Sequence, residues 1–277
     1  MLEAAVRHGI DLSNLWGSIE AGEKSVREAC LLVPGAGRTA VVFLSSPAEG
    51  EQDRIEELGA VLDAAISNSV GEIEIAQAIL DMDETGTRQA LIAGGFLCAG
   101  TLQYLKRPPA AIKNPPDPGS GWPAGITVTL ADPADDADLA RALECSYEQT
   151  LDCPELCGLR DTSDVISSHR ASGVWDPALW WVVRHNDEPV GAALFNHNPS
   201  QGNSELVYMG LAPSVRGMGI ASRLLDLGLH TTLTRHAFPV TCAVDERNIP
   251  AQKLYERAGF KVFERRVAYV RPITHSA

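Results

Sequence analysis

The chain has 277 residues, enough for one large domain or two modest ones, and 45% hydrophobic with 21% charged residues is a globular composition. With 23 basic against 36 acidic residues the formal charge is −13, which repels phosphate backbones and anionic lipid and argues against nucleic-acid and membrane partners. No stretch approaches the ~18 consecutive apolar residues of a transmembrane helix.

In chain order, the opening Met1–His8 carries an acid at Glu3 and no apolar run, so it does not read as a secretory leader. Ala29–Val33 reads as a strand, and Ser46-Pro47 as the entry to a helix. The segment from Arg107 to Pro123 is rich in proline and includes Gly119-Ser120-Gly121. It cannot continue a helix or a central strand and reads as an extended, semi-rigid linker, 108–123, dividing 1–107 from 124–277. The six cysteines (Cys30, Cys98, Cys145, Cys153, Cys157 and Cys242) have no framework spacing and read as reduced thiols of a cytoplasmic protein. Cys145, Cys153 and Cys157 form no CxxC pair and no histidine follows at finger spacing, so no metal is expected.

Beyond the linker, strands and helices alternate. Asp135–Gln149 reads as a helix, Leu179–Arg184 and Pro189–Asn196 as strands joined by a hairpin turn at His185–Glu188, and Glu205–Leu211 as a third strand. Ile220–Thr234 reads as a helix and Pro239–Val244 as a strand. Asn248–Ala258 reads as a short helix capped by Asn248, with Pro250 in its first turn and Gly259 as terminator. Phe260–Val270 closes the chain as a strand. The fold class is α/β (α+β), a mixed central sheet flanked by helices.

The two parts also align on each other. At an offset of 164, Asp81 falls on Asp245, Gly95-Phe96 on Gly259-Phe260 and Arg107-Pro108 on Arg271-Pro272 without a gap. The shared order of elements suggests a tandem duplication with a truncated first copy.

Met209–Ala221 is the most informative segment. It follows an apolar strand, opens a helix and holds Arg216, Gly217 and Gly219 where backbone amides can converge on an anion at a helix N-terminus. Arg216-x-x-Gly219-x-Ala221, preceded by Pro213, resembles motif A of the GNAT acyltransferases, Arg/Gln-x-x-Gly-x-Gly/Ala. The family's next motif, Asn-x-x-Ala-x-x-Leu-Tyr-Glu-x-x-Gly-Phe, is met by Asn248, Ala251, Leu254, Tyr255, Glu256, Gly259 and Phe260. The resemblance spans roughly residues 124–272.

The resemblance implies a site for acetyl-coenzyme A. The amides of Arg216, Gly217, Met218, Gly219, Ile220 and Ala221 would hold the pyrophosphate, and the backbone of Met209 and Leu211 would pair with the pantetheine arm. Asn248 would bond that arm, Tyr255 would stand near the sulfur, and the strand ending at Leu211 would splay from the one ending at Val244. Transfer to an amine needs a base, a stabilised carbonyl oxygen and a departing thiolate. Glu205 is the first choice of base, with Asp245 and His197 as competitors; Cys242, inside a strand, reads as an inert buried thiol. The loop 150–164 holds Asp152, Glu155, Asp161 and Asp164 against the single Arg160, a rim that would draw a cationic acceptor, a small molecule or peptide amine. The expected assembly is a monomer or homodimer.

In the first part the cradle position is Pro47–Asp53, where Glu49, Glu51 and Asp53 would face a diphosphate; Leu91 replaces Tyr255 and Glu84 replaces Asn248. That copy is expected to be silent, an arrangement resembling the mycothiol synthase-like acetyltransferases. Two other classes stay open: a non-catalytic acyl-CoA sensor and a structural or interaction protein. Thiol release with an amine separates the enzyme from the sensor, and stabilisation by acetyl-CoA separates both from the scaffold.

Overall fold

A computed structural model describes residues 11–20, 22, 25–69 and 73–273. The opening Met1–His8 lies outside them. Among the described residues no helix is long and apolar enough to cross a membrane. The chain divides into two compact units, one of 1–101, 158–160 and 265–277, the other of 102–157 and 161–264.

These units do not follow the division expected at the proline-rich segment. In the first unit β1 (Leu15–Ile19), β2 (Val26–Gly35), β3 (Thr39–Leu44) and β4 (Ile75–Leu80) lie side by side, β3 and β4 in parallel. The outer edge of β4 is completed by residues 267–272, part of the last strand, β11 (Lys261–Pro272). Helices α1 (Gln52–Asn68) and α2 (Thr85–Ala93) pack their apolar sides against this sheet, burying Ile55, Leu58, Leu62 and Leu91. The order β-β-β-α-β-α-β, closing with β5 (Leu97–Arg107), begins one strand and two helices later than that of the second half.

The second unit orders its strands as β6 (Ile126–Leu130), β7 (Trp180–His185), β8 (Glu188–Asn198), β9 (Asn203–Leu211) and β10 (Val240–Asp245), with residues 102–107 of β5 outside β10. The hairpin between β7 and β8 turns at Asn186 and Asp187, both at positive φ (50° and 71°), as a two-residue hairpin of right-handed twist requires. Its helices are α3 (Ala137–Tyr147), α4 (Thr162–Ala171), α5 (Ile220–Arg235) and α6 (Ile249–Arg257). The proline-rich segment belongs to this unit: Ile112 and Trp122 pack on its core, and Arg223 donates to Ser120 O (2.9 Å).

Consecutive residues of β8 assign the helices to faces, because side chains alternate along a strand. A Cβ on Gly228 of α5 would lie 2.2 Å from the Phe195 ring, so α5 presses directly on that face. Asn196, fully buried, points the other way. Its amide nitrogen donates to Ser172 O (2.7 Å) and to His169 O (2.6 Å), which also accepts the Ser172 N–H (3.3 Å), so it closes the end of α4. Its oxygen accepts from Trp180 Nε1 (2.9 Å).

Candidate active site

The site begins where two parallel strands part. β10 pairs with residues 102–107 along its whole length, but with β9 only at Val240–Ser204 and Thr241–Glu205. Beyond Glu205 the β10-facing edge of β9 is therefore open, a wedge with Glu205 at its narrow end.

A bulge on β9 decides what faces the wedge. Leu194 pairs with Tyr208 and Phe195 with Leu206, leaving Val207 extra. Without the extra residue Glu205 and Tyr208 would point to opposite faces. With it both lie across from residues of one face, Asn196 and Leu194, on the side of α3 and α4. Ser172 Oγ donates to Glu205 Oε2 (3.3 Å), Tyr208 and Ser146 share a hydroxyl–hydroxyl bond (2.5 Å), and the His169 ring tilts against Tyr208 (5.6 Å). Burial pushes the Glu205 carboxyl above its ordinary value, only partly offset by Ser172. Tyr208 was not singled out from the sequence because a bulge carries no residue signature.

At the wide end, β9 leads through a 3₁₀ turn, Pro213–Val215, to α5. Gly217 and Gly219 take φ of 81° and 77°, and a Cβ on either would meet nothing within 4 Å. Glycine is required here by conformation, and the hollow above it is open. Among the described residues no backbone acceptor takes the N–H groups of Gly217, Met218 and Gly219, and the first N–H groups of α5 have none within the helix. The Arg216 amide, by contrast, donates to Pro213 O (3.3 Å).

The Arg216 side chain turns away from this cradle. Its Nε donates to Leu211 O (2.9 Å), Nη1 to Gln149 O (3.1 Å), and Nη2 to Glu148 O (2.7 Å) and Ser146 O (3.2 Å). It thus caps the carbonyls that end α3 and ties them to β9. The guanidinium is thus spent outside the cradle, and Leu211 O already accepts one bond, from Arg216. Met209 pairs with Ala193 of β8, leaving its other edge to the wedge.

α6 carries the second motif. Asn248 caps it, its Oδ1 accepting from Ala251 N (3.2 Å), so only its amide nitrogen is left for a ligand. Tyr255, 6% exposed, packs on Phe260, and its hydroxyl has no hydrogen-bond partner among the described residues. Burial, then the neighbouring Cys242, Asp152 and Tyr208, push its proton loss well above the ordinary value, so the hydroxyl stays protonated. Cys242 is buried and its thiol is pushed up by that burial.

The competing bases lie elsewhere or are occupied. His197, next to Asn196 on β8, faces away from Glu205 and stacks on His236 (3.8 Å). Asp245 is fully buried; burial alone would raise it, but Arg247 and two backbone N–H groups hold it below its ordinary value. Arg247 also makes a bidentate pair with Glu155 (2.6 and 2.8 Å). Cys153 N donates to Asp245 Oδ2 (3.1 Å) and Asp245 N to Asp152 Oδ1 (2.8 Å). The acidic loop is thereby fastened to the end of β10. No cluster of three or more histidine, cysteine or acidic side chains that could hold a metal occurs among the described residues.

The first unit has no such cradle at Pro47–Asp53. Ala48 N donates to Glu51 Oε2 (2.7 Å), and Gly86 of α2 sits so close that a Cβ there would lie 2.2 Å from Pro47 O. The turn is filled by its own acid and its neighbouring helix.

Residues 147–260 match the model of a family described as Acetyltransferase (GNAT) family. A mycothiol acetyltransferase of Thermomonospora curvata is 27% identical over 183 residues, 66% of this chain and 59% of that protein. The chain thus spans about three fifths of that relative's length. A solved GCN5-related N-acetyltransferase from Sphaerobacter thermophilus aligns with 100% of this chain and 87% of its own at TM-score 0.61 and 20% identity. A tandem GNAT protein from the clavulanic acid biosynthesis pathway aligns with 100% and 88%, at TM-score 0.51 and 15% identity. At these identities the two structures establish the fold.

Proposed function

We propose that this chain, which matches the GNAT acetyltransferase family model over residues 147–260, moves an acetyl group from acetyl-CoA to a primary amine by direct attack. The observation that carries this reading is the wedge: β9 and β10 part at Glu205, with a cradle of unclaimed amides at the open end. The donor set fits the group. Gly217 to Ala221 offer N–H groups and a helix N-terminus to a diphosphate, the free edge of β9 at Met209 offers peptide groups to an extended amide-bearing arm, and Asn248 adds its amide nitrogen.

When bound, acetyl-CoA supplies an acyl group on a good leaving group, and the chain's own residues do the rest. Glu205, at the narrow end, takes the proton that the attacking amine must lose. Its raised pKa brings it nearer the range in which a base both ionises and accepts. The Tyr255 hydroxyl, protonated and without a partner, donates to the sulfur as the thiolate departs. The first unit, its cradle filled, is read as a silent, truncated copy that binds no second cofactor.

Acetyl-CoA is expected to bind at one site per chain, measured by calorimetry; two sites would refute the silent copy. Gly219→Ala should weaken binding only through the strain of a left-handed residue, about 1–2 kcal/mol. Gly219→Glu should abolish binding, since it adds a charge where the diphosphate sits. Equal affinities for the two variants would move the cradle elsewhere.

Tyr255→Phe is expected to lower kcat about 10²-fold with unchanged acetyl-CoA affinity and melting temperature, because the hydroxyl has nothing to lose before the thiolate leaves. A single-turnover rate equal to that of the wild type would return Tyr255 to a packing role.

A further inference from the structure

The second unit holds a cleft of about 620 Å³ that the acetyl-transfer site does not use. It is lined by Val128 and Leu130 of the edge strand β6, Leu227 and His230 of α5, Pro116 and Pro118 of the proline-rich segment, and Trp181. Leu130 pairs with Trp181 and Trp181 with Ala193, so their side chains share the face of Phe195, whose ring Trp181 meets edge-on (6.1 Å). That is the α5 face, opposite to the face of Asn196 and Glu205. The proline-rich wall is fixed by its own bonds. Asp117 accepts from Gly119 N (2.8 Å) and Ser120 Oγ (3.0 Å), Trp122 Nε1 donates to Pro118 O (3.0 Å), and the Arg223 guanidinium lies over the Trp122 ring (5.1 Å). The cleft is therefore preformed.

One buried donor in it is unspent. Trp181 is 2% exposed, and its indole N–H has no hydrogen-bond partner among the described residues. The adjacent Trp180 gives the same group to Asn196 Oδ1 (2.9 Å), and the unpartnered Trp175 N–H is sealed from solvent. The Trp181 N–H is neither bonded nor sealed, so it opens into the cleft that its ring lines. The hydroxyls nearby are committed: Thr231 donates to Leu227 O (2.9 Å), and Thr129 accepts from Arg184 Nη1 (2.6 Å). His230 is the other polar ring at the cleft, and among the described residues lining it there is no acid, lysine or arginine.

A buried indole N–H without an acceptor is a cost that a ligand oxygen recovers. Apolar walls around one placed donor, in a volume of about 300–1,000 Å³, are the make-up of a small-molecule site. We propose that the cleft binds a small neutral, largely apolar molecule through a carbonyl oxygen that accepts from Trp181 Nε1. An ion is not matched there, because it would give up water and gain no counter-charge. The site lies apart from the wedge and stands whether or not the chain transfers acetyl groups.

The test uses the full chain and two matched pairs of probes, cyclohexanone with methylenecyclohexane and acetophenone with α-methylstyrene, which differ only in =O against =CH2. Proton–nitrogen NMR gives one indole signal for each of the five tryptophans. Titration with a ketone should shift the Trp181 signal to saturation, and excess acetyl-CoA should leave that shift in place. Trp181→Phe, followed through the backbone signals of α5, should lower the affinity for a ketone relative to its hydrocarbon match by about three- to tenfold, the loss of one hydrogen bond. Thr231→Trp fills the cleft from the helix side and should abolish binding of all four probes, which keeps the test open if Trp181→Phe does not fold. A Trp181 signal that neither ketone moves overturns the site, and so does displacement of the ketone by acetyl-CoA. Binding that survives Thr231→Trp, or an unchanged ketone-to-hydrocarbon ratio in Trp181→Phe, overturns it as well.

Discussion

Glu205→Gln should lower kcat/KM for amine acetylation by about 10²–10³-fold, the usual contribution of a positioned base. The same variant should not lower the melting temperature. Burial raises the Glu205 pKa in the folded chain, so the ionised form is disfavoured there relative to the unfolded chain. Above the unfolded pKa the group therefore costs stability, and the cost disappears as pH falls through the raised value. A neutral amide of the same shape removes that cost at neutral pH and keeps an oxygen for Ser172. In the wild type, kcat/KM should fall on the acid side with a midpoint above the ordinary glutamate value of 4.5, and in Glu205→Gln that limb should be gone. A variant within threefold of the wild type at every pH would reduce Glu205 to a carboxylate at the start of a strand and transfer the proton to another group.

The second large effect concerns where the chain can be cut. A fragment of 124–277 contains both motifs, yet it should be poorly soluble and should lose acetyl transfer. It lacks residues 102–107, which pair with β10 along its whole length and bury Leu105, a side chain contributing about 2–3 kcal/mol. It also lacks Arg107, whose Nε donates to Ala258 O (2.8 Å) and so caps the helix that carries Tyr255. At its far end, residues 267–272 would be a strand deprived of its β4 partner, with Val267, Tyr269 and Val270 uncovered. A fragment of 102–264 keeps the β10 ladder and the cap and drops the orphan strand. It should be the more soluble of the two, bind acetyl-CoA, and melt cooperatively. Thermal melts and acetyl-CoA titrations of both fragments decide the matter. Equal behaviour, or a better 124–277, would restore the boundary at the proline-rich segment.

Much of the site was legible because its chemistry is local. A glycine at positive φ, a helix start and a capped second helix are properties of a few adjacent residues, and Gly217, Gly219, Asn248 and Pro250 announce them without tertiary information. The alternation of apolar residues likewise marks β7 to β10 and α5, within a residue or two of their observed ends. Glu205 could be named because the alternation places it near the start of β9 and the resemblance implies a base at that position.

What escaped the sequence depends on partners distant in the chain. The bulge at Val207 exists only as a mismatch of register between β8 and β9, and it alone turns Tyr208 onto the face of Glu205. The role of the Arg216 side chain appears only when the end of α3 is brought beside it, where four bonds to the carbonyls of Leu211, Ser146, Glu148 and Gln149 claim the guanidinium. Asp152, Glu155 and Asp245 look alike as acids in a line of sequence; that Arg247 makes ion pairs with Glu155 and Asp245 is decided only when the loop meets the end of β10. The strand β5 is written as the end of one half and pairs in the unit of the other, because a strand's hydrogen bonds specify a neighbour only once the sheet has formed.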